Sequence, residues 1–297
     1  MPFKQKIKKF LMHNPSKANY KFVIKDWVSL TDLNALSKVL ESKRFSQNLA
    51  PLNLEAPFAK NILFFAPHPD DDVISSGGTL LKLRQKEAKI KVIYVTSGVR
   101  PTYQDKDRMV LSEDAKLWEG ESRQVSGILG TDIEFWRDDL EAIKIDAEKI
   151  KKVRAAYDAV HPEVIFVPFL ADDHDDHRRT AQLFYEAFRG TANLDSEVWA
   201  YQVYSSVIPN AVIDITDSIE EKVELIRRWK TQMARRDWSH YIKGLNAFNS
   251  RFLKTKKALF AECFFVVPAK EYVELCRLYF SHHSRELYYS HEYKNSR

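Results

Sequence analysis

Two short segments concentrate imidazole and carboxylate groups: Pro67-His68-Pro69-Asp70-Asp71-Asp72 and Asp172-Asp173-His174-Asp175-Asp176-His177. Between them they hold three of the nine histidines and seven aspartates. Zinc takes nitrogen and oxygen donors in tetrahedral geometry, and catalytic sites use three protein ligands with the fourth position open. His68 and Asp71 are three residues apart, so one tight turn aims both at a single point; His177 from the second segment completes a His/Asp/His set. Asp70 adjoins a ligand but points differently, which suits a proton acceptor for an attacking water. His174, three residues before His177, suits a donor to a developing oxyanion. Aspartate-rich loops also form ordinary turns and helix caps, and Asp176 reads equally well as the cap of a helix beginning at His177. The clustering, more than any single residue, points to a metal site.

Such segments act together only if the fold brings them to one place. From Asn61 onward the chain alternates short apolar runs with amphipathic stretches. Strands are expected at 62–66, 90–96, 133–136, 164–169, 198–204, 212–215 and 263–267, with helices at 76–88, 111–129, 146–161, 177–188, 218–233 and 269–279. Gly130 stands where a helix C-cap is expected. This alternation implies an α/β fold with a mostly parallel sheet covered on both faces. Ligands of such sheets bind beyond the carboxyl ends of the strands, and both His/Asp segments directly follow expected strands. The strand order is not legible.

The segment Ala66-Pro67-His68-Pro69-Asp70-Asp71-Asp72, paired with His174-Asp175-Asp176-His177-Arg178, resembles the signature pair of the PIG-L (LmbE-like) zinc-dependent de-N-acetylases. Weaker similarities lie at Thr96-Ser97-Gly98, Glu121, Leu129-Gly130, Thr231-Gln232 and Ala261-Glu262-Cys263-Phe264, so the resemblance spans roughly Asn61 to Pro268. It implies a Rossmann-like fold and removal of an N-acetyl group from an N-acetylglucosamine-type amino sugar, free or conjugated. It also implies zinc on His68, Asp71 and His177, with other divalent metals as substitutes, Asp70 as general base and His174 as the residue facing the tetrahedral intermediate. Asp72 stands where the family usually has Glu, Val99 where an acid is common, and Asp175 where Pro is frequent. Asp72, Asp176, Arg178 and Tyr201 are further candidates for supporting the site or meeting the substrate. A Mg²⁺ phosphoesterase is the competing enzyme, disfavoured because two histidines suit zinc better than Mg²⁺. A non-catalytic sugar-binding module is the competing non-enzyme.

The remaining features narrow the setting. Gly77-Gly78 is expected to permit close helix–sheet packing more than to admit a ligand, and Arg178-Arg179 to neutralise the acidic loop. Tyr201 and Tyr204 are expected mainly in the core, with a pocket position as the lesser option. His282, His283 and His291 are given no catalytic role. The two cysteines, Cys263 and Cys276, are thirteen residues apart and read as reduced, packed thiols. No apolar run approaches the ~20 residues of a bilayer span and no signal peptide is recognisable, so a cytoplasmic protein is expected. The formal charge is +5, yet seven of the 46 basic residues lie in residues 1–25, which contain no acid; residues 26–297 carry 39 basic against 41 acidic groups. That balance speaks against nucleic acid as a partner. Residues 1–58 read as a basic extension with one helix, 59–280 as the enzymatic domain and 281–297 as a polar tail. The one macromolecular partner suggested is an anionic membrane surface, met weakly by residues 1–25 and bearing on a peripheral location; the oligomeric state is undetermined. Deleting residues 1–25 is expected to leave turnover of soluble N-acetyl sugars intact, as measured by amine release, because the basic end lies outside the family-like region.

Overall fold

The computed structural model describes residues 51–99, 102–105, 108–110, 112–255 and 257–282. The one helix expected in the basic extension, the basic stretch 1–25, and His283 and His291 lie outside them. Among the described residues, ten strands fall in two sheets. The main sheet comprises β1 (Leu52–Leu54), β2 (Asn61–Ala66), β3 (Lys89–Thr96), β6 (Asp132–Asp138), β7 (Val164–Pro168), β8 (Glu197–Tyr201), β9 (Ala211–Asp214) and β10 (Ala261–Pro268), in the order β1-β9-β10-β8-β7-β2-β3-β6. A small antiparallel hairpin, β4 (Thr102–Asp105) with β5 (Arg108–Val110), stands apart. The five strands β8-β7-β2-β3-β6 are parallel, and β10 runs antiparallel to both β8 and β9. The α/β architecture with a mostly parallel sheet is therefore as expected.

Every residue of β7 is buried, as a strand covered on both faces requires. Successive residues of β2 serve opposite faces. Ile62, Phe64 and Ala66 join one core with Val73 and Leu80 of α1 (Asp71–Gln85), Val125 of α2 (Glu113–Leu129) and Val223 of α5 (Ile219–Ile226). Leu63 and Phe65 join the other, with Val153 of α3 (Ala147–Val160), Phe184 of α4 (Asp175–Phe188) and Tyr272 of α8 (Ala269–His282).

Several elements differ from the sequence expectation, each for a local reason. The single helix expected at 218–233 is a 3₁₀ turn at Thr216–Ser218, then α5, then α6 (Lys230–Met233). Between them Trp229 is driven into the core, where its indole donates to Ser122 Oγ at 3.2 Å. The strand expected to reach residue 204 stops at Tyr201, because the Val203 and Tyr204 amides turn to the Asp172 carboxylate at 3.3 and 3.4 Å. Helix α7 (Trp238–Asn249) was not foreseen: its buried face is Ser239, Ile242, Asn246 and Asn249, too polar to display a hydrophobic period. Leu52–Leu54, assigned above to the extension, pairs with β9, so the sheet begins before residue 59; α8 likewise runs into the residues assigned to the tail.

Helix α1 is fastened to the sheet by a buried charge network. Glu262 on β10 accepts from the Gly78 amide at 2.8 Å, the Thr79 amide at 2.8 Å and the Thr79 hydroxyl at 2.5 Å, while Lys222 Nζ of α5 donates to it at 2.6 Å. Gly78 is required for packing, since a Cβ there would stand 2.6 Å from Ile215 Cγ2. Both Lys222 and Glu262 are buried, and burial lowers the Lys222 pKa while Glu262 opposes that. Removing one partner of a buried pair strands the other charge. Lys222→Met is therefore expected to lower unfolding free energy by about 3–5 kcal/mol in urea denaturation, and a loss below 1 kcal/mol would show that the pair contributes no more than a surface contact.

Candidate metal centre and active site

Strands β2 and β7 lie side by side in parallel register, with Ile62, Leu63 and Phe64 opposite Val164, Ile165 and Phe166. From β2 the chain proceeds outward to β3 and β6, then returns to β7 and β8 on the other side. The two His/Asp loops thus open at the point where strand order reverses, the ligand-binding crevice of doubly wound sheets.

The first loop folds as a tight turn: the Asp70 and Asp71 amides both donate to His68 O, at 2.9 and 3.3 Å, and α1 begins at Asp71. Asp71 Oδ2 accepts the His68 amide at 2.8 Å and lies 3.0 Å from His68 Nδ1 and 3.2 Å from His177 Nε2. His177 is the third residue of α4, so a strand end and two helix starts converge on one carboxylate oxygen. His68, Asp71 and His177 each present a ligand atom within 4.8 Å of the others, and all three are buried. A second set with the same spacing is His68, His174 and Asp176.

Chemistry favours the first set. Metal-ligating histidines commonly give their other ring nitrogen to a carboxylate; here His68 Nε2 faces Asp176 Oδ2 at 3.1 Å, leaving Nδ1 toward Asp71. Both ring nitrogens of His177 are buried with only carboxylate oxygens beside them, Asp71 Oδ2 3.2 Å from Nε2 and Asp172 Oδ1 3.5 Å from Nδ1, and neither contact has the geometry of a hydrogen bond. A buried imidazole so left is costly unless something else takes its lone pair, which a cation on Nε2 would do. Two nitrogens and one carboxylate oxygen make a set suited to zinc.

The electrostatics point the same way. Burial alone would lower the His68 pKa, but Asp71 and Asp176 overcome it and hold it up at about 10. Burial raises Asp71, yet His177 and His68 bring it well below the ordinary carboxylate range. The crevice therefore attracts positive charge. Asp70 contrasts with its neighbour. It is buried at the helix start without capping it, and burial together with the negative Asp71 raises its pKa well above the ordinary value. Burial likewise raises Asp72 to about 7, against the hydrogen bond from Tyr94 Oη at 3.0 Å.

His174 caps α4: its Nδ1 accepts the Asp176 amide at 3.2 Å. With Nδ1 an acceptor, the proton of a neutral ring sits on Nε2. Burial, then His68 and His177, lower the His174 pKa and keep the ring neutral. Its ring centroid is 4.8 Å from that of His68 and 5.4 Å from that of His177.

The supporting candidates separate. Asp176 does not cap α4; it is buried and accepts from His68 and from the Glu141 amide at 2.9 Å. Arg178 binds back onto its own loop, donating to Asp172 O and pairing with Asp175, which fits neutralisation of the acidic segment. Tyr201 does not line the crevice. It is fully buried with its hydroxyl donating to Phe65 O at 2.8 Å, because β8 ends there with the ring inside the core. Its neighbour Tyr204 occupies the crevice instead, stacked on His174 at 5.1 Å. Asp172 was not singled out, yet it organises the second loop: Oδ1 accepts the His174 amide at 3.1 Å and lies 3.5 Å from His177 Nδ1, while Oδ2 takes the Val203 and Tyr204 amides. Its place directly after a strand was the available signal.

A buried His/Asp/His group at strand ends, at the switch point of a doubly wound sheet, is an arrangement able to hold a metal ion. Residues 63–188 match the family model PIG-L, described as GlcNAc-PI de-N-acetylase. The chain is 26% identical over 248 residues to diacetylchitobiose deacetylase of Thermococcus kodakarensis, covering 75% of this chain and 91% of that one. A 42-residue stretch is 52% identical to a glucosamine-6-phosphate deaminase-like protein of Bacteroides thetaiotaomicron, covering 14% of this chain and only 6% of that relative. The structure is similar to N,N'-diacetylchitobiose deacetylase from Pyrococcus horikoshii, with a TM-score of 0.61 at 22% identity over 85% of this chain and 97% of that one.

The two donor sets make separable predictions. In calorimetric titration with zinc, His177→Ala and Asp71→Ala are expected to abolish tight binding. His174→Ala is expected to retain it, whereas loss of binding in His174→Ala with retention in His177→Ala would assign the ion to the other set.

Proposed function

We propose that the protein is a zinc-dependent amidohydrolase that removes the N-acetyl group from an N-acetylated amino sugar, free or conjugated. The observation that carries this is the buried His68/Asp71/His177 group at two strand ends, with the buried carboxylate Asp70 adjoining Asp71 and the His174 ring beside those of His68 and His177, its Nδ1 occupied by the Asp176 amide. His68, Asp71 and His177 would hold the ion. When bound, zinc supplies Lewis-acid polarisation of the acetamide carbonyl and of water.

The residues of the chain do the rest. Asp70, made more basic by burial and by Asp71, accepts a proton as a water oxygen attacks the carbonyl carbon. His174 donates a hydrogen bond from Nε2 to the carbonyl oxygen as it gains negative charge. The C–N bond then breaks, the nitrogen leaves with a proton returned to it by Asp70, and acetate and a free amine result. Asp172 and Asp176 act through others, setting the orientation of His174, Tyr204 and His68. The match of residues 63–188 to a GlcNAc-PI de-N-acetylase model and the similarity to a diacetylchitobiose deacetylase support the substrate class, and the two imidazole donors support zinc over Mg²⁺.

Asp70→Asn keeps the ligand set and removes the base. It is expected to bind zinc as the parent does while amine release from a panel of N-acetyl sugars falls about 10²–10⁴-fold. Undiminished turnover would reject Asp70 as the base; phosphate release dependent on Mg²⁺, with no acetate, would reject the deacetylase itself.

A further inference from the structure

An aromatic row leaves the crevice and continues across the surface. Tyr204, 43% exposed, lies on His174 with ring planes 27° apart. Trp238 meets Tyr204 edge-on at 5.7 Å, and Tyr241, 54% exposed, meets Trp238 at 6.3 Å. The exposed Arg236 sets its guanidinium 5.9 Å from the Trp238 ring and 5.7 Å from that of Tyr241.

The row is built to hold its place. Trp238 and Tyr241 are three residues apart at the start of α7 and so share one helix face. Asp237 caps that turn, accepting the His240 amide at 3.1 Å and the Ser239 hydroxyl at 2.5 Å. The buried Ser239 and Ile242 anchor the opposite side. Tyr204 and Tyr241 keep large rings exposed on either side of the half-buried Trp238 and have given up burial that would stabilise them, so their exposure calls for a ligand. The ligand must present flat apolar faces at ring-length intervals, with hydroxyls between them that can accept from Arg236. A chain of pyranose rings does so. An acyl chain would match the aromatic faces but leave the guanidinium without an acceptor.

We infer that Trp238, Tyr241 and Arg236, entered over Tyr204, bind the second sugar ring of an oligosaccharide whose N-acetylated ring occupies the crevice, and so set a preference for two or more linked rings over the free monosaccharide. This rests on the deacetylase function proposed above.

The test compares N-acetylglucosamine, diacetylchitobiose and triacetylchitotriose as substrates of the zinc-loaded protein and of its Trp238→Ala and Tyr241→Ala variants. Calorimetric binding of diacetylchitobiose in an Asp70→Asn background accompanies it. KM of the parent is expected to be at least tenfold lower for the disaccharide than for the monosaccharide. Each variant should raise the disaccharide KM about threefold to tenfold more than the monosaccharide KM, with kcat little changed, and Trp238→Phe should restore most of the loss. Diacetylchitobiose affinity in the Asp70→Asn background should fall by the same factor when Trp238 is replaced by Ala. Hydrolysis of all three sugars with equal KM, or variants that change every substrate alike, would overturn the platform and leave the deacetylase standing. If no acetylated sugar is hydrolysed while diacetylchitobiose binding still depends on Trp238, the reaction assignment falls and the platform stands; binding that ignores Trp238 overturns the platform in either case.

Discussion

One oxygen atom, Asp71 Oδ2, ties the active region together. It faces His68 Nδ1 and His177 Nε2 and also accepts the His68 amide, so it fixes a turn, a helix start and a second loop at once. An anionic oxygen buried between two imidazoles is tolerable only if positive charge sits among them. In this structure His68 is pushed toward its protonated form, and a divalent cation would satisfy the same field with the proton displaced. The two loops are thus not independent ligand donors that happen to meet. Each is shaped by the requirement that this carboxylate be neutralised.

That requirement also explains how far the support reaches. Asp71 opens α1, and the same helix is gripped seven and eight residues later at Gly78 and Thr79 by Glu262, itself neutralised by Lys222. A glycine is needed at Gly78 because the helix lies close against Ile215. The helix that begins at Asp71 is thereby held to β10, a strand on the far side of β8 and β7 from β2. On the other loop, Asp172 performs the corresponding task through three backbone amides. Two buried acids with no direct role in the chemistry keep the two halves of the centre from drifting apart.

How much of this was legible follows from what kind of signal each part leaves. His68, Asp70, Asp71, His174 and His177 were readable because loop residues of these types at these spacings need little else to explain them, and the alternation of strands and helices put both loops at strand ends. What joined them was not readable: the adjacency of β2 and β7 depends on strand order, which hydrophobic pattern does not encode. Helix α7 escaped notice because its inward face contains Ser239, Asn246 and Asn249, polar residues that break a hydrophobic period, the first two held by hydrogen bonds to Asp237 and to Ala261 O. Tyr201 and Tyr204 carry the same residue type in what seemed one strand. Only the tertiary pull of Asp172 on two amides distinguishes them.

That pull has a consequence for the crevice. Had β8 continued in register to residue 204, the alternation of a strand would have fixed Tyr204 by its position along the pleat, as it fixes Tyr201 within the core. By taking the Val203 and Tyr204 amides, Asp172 ends the ladder and supplies the hydrogen bonds the strand would have made, so the chain turns without leaving those buried donors unpaired. Tyr204 is then free to lie over His174 and to meet Trp238. The same carboxylate accepts the His174 amide. The His174 imidazole and the first ring of the surface row are therefore placed by one buried acid, so the geometry of one is linked to that of the other.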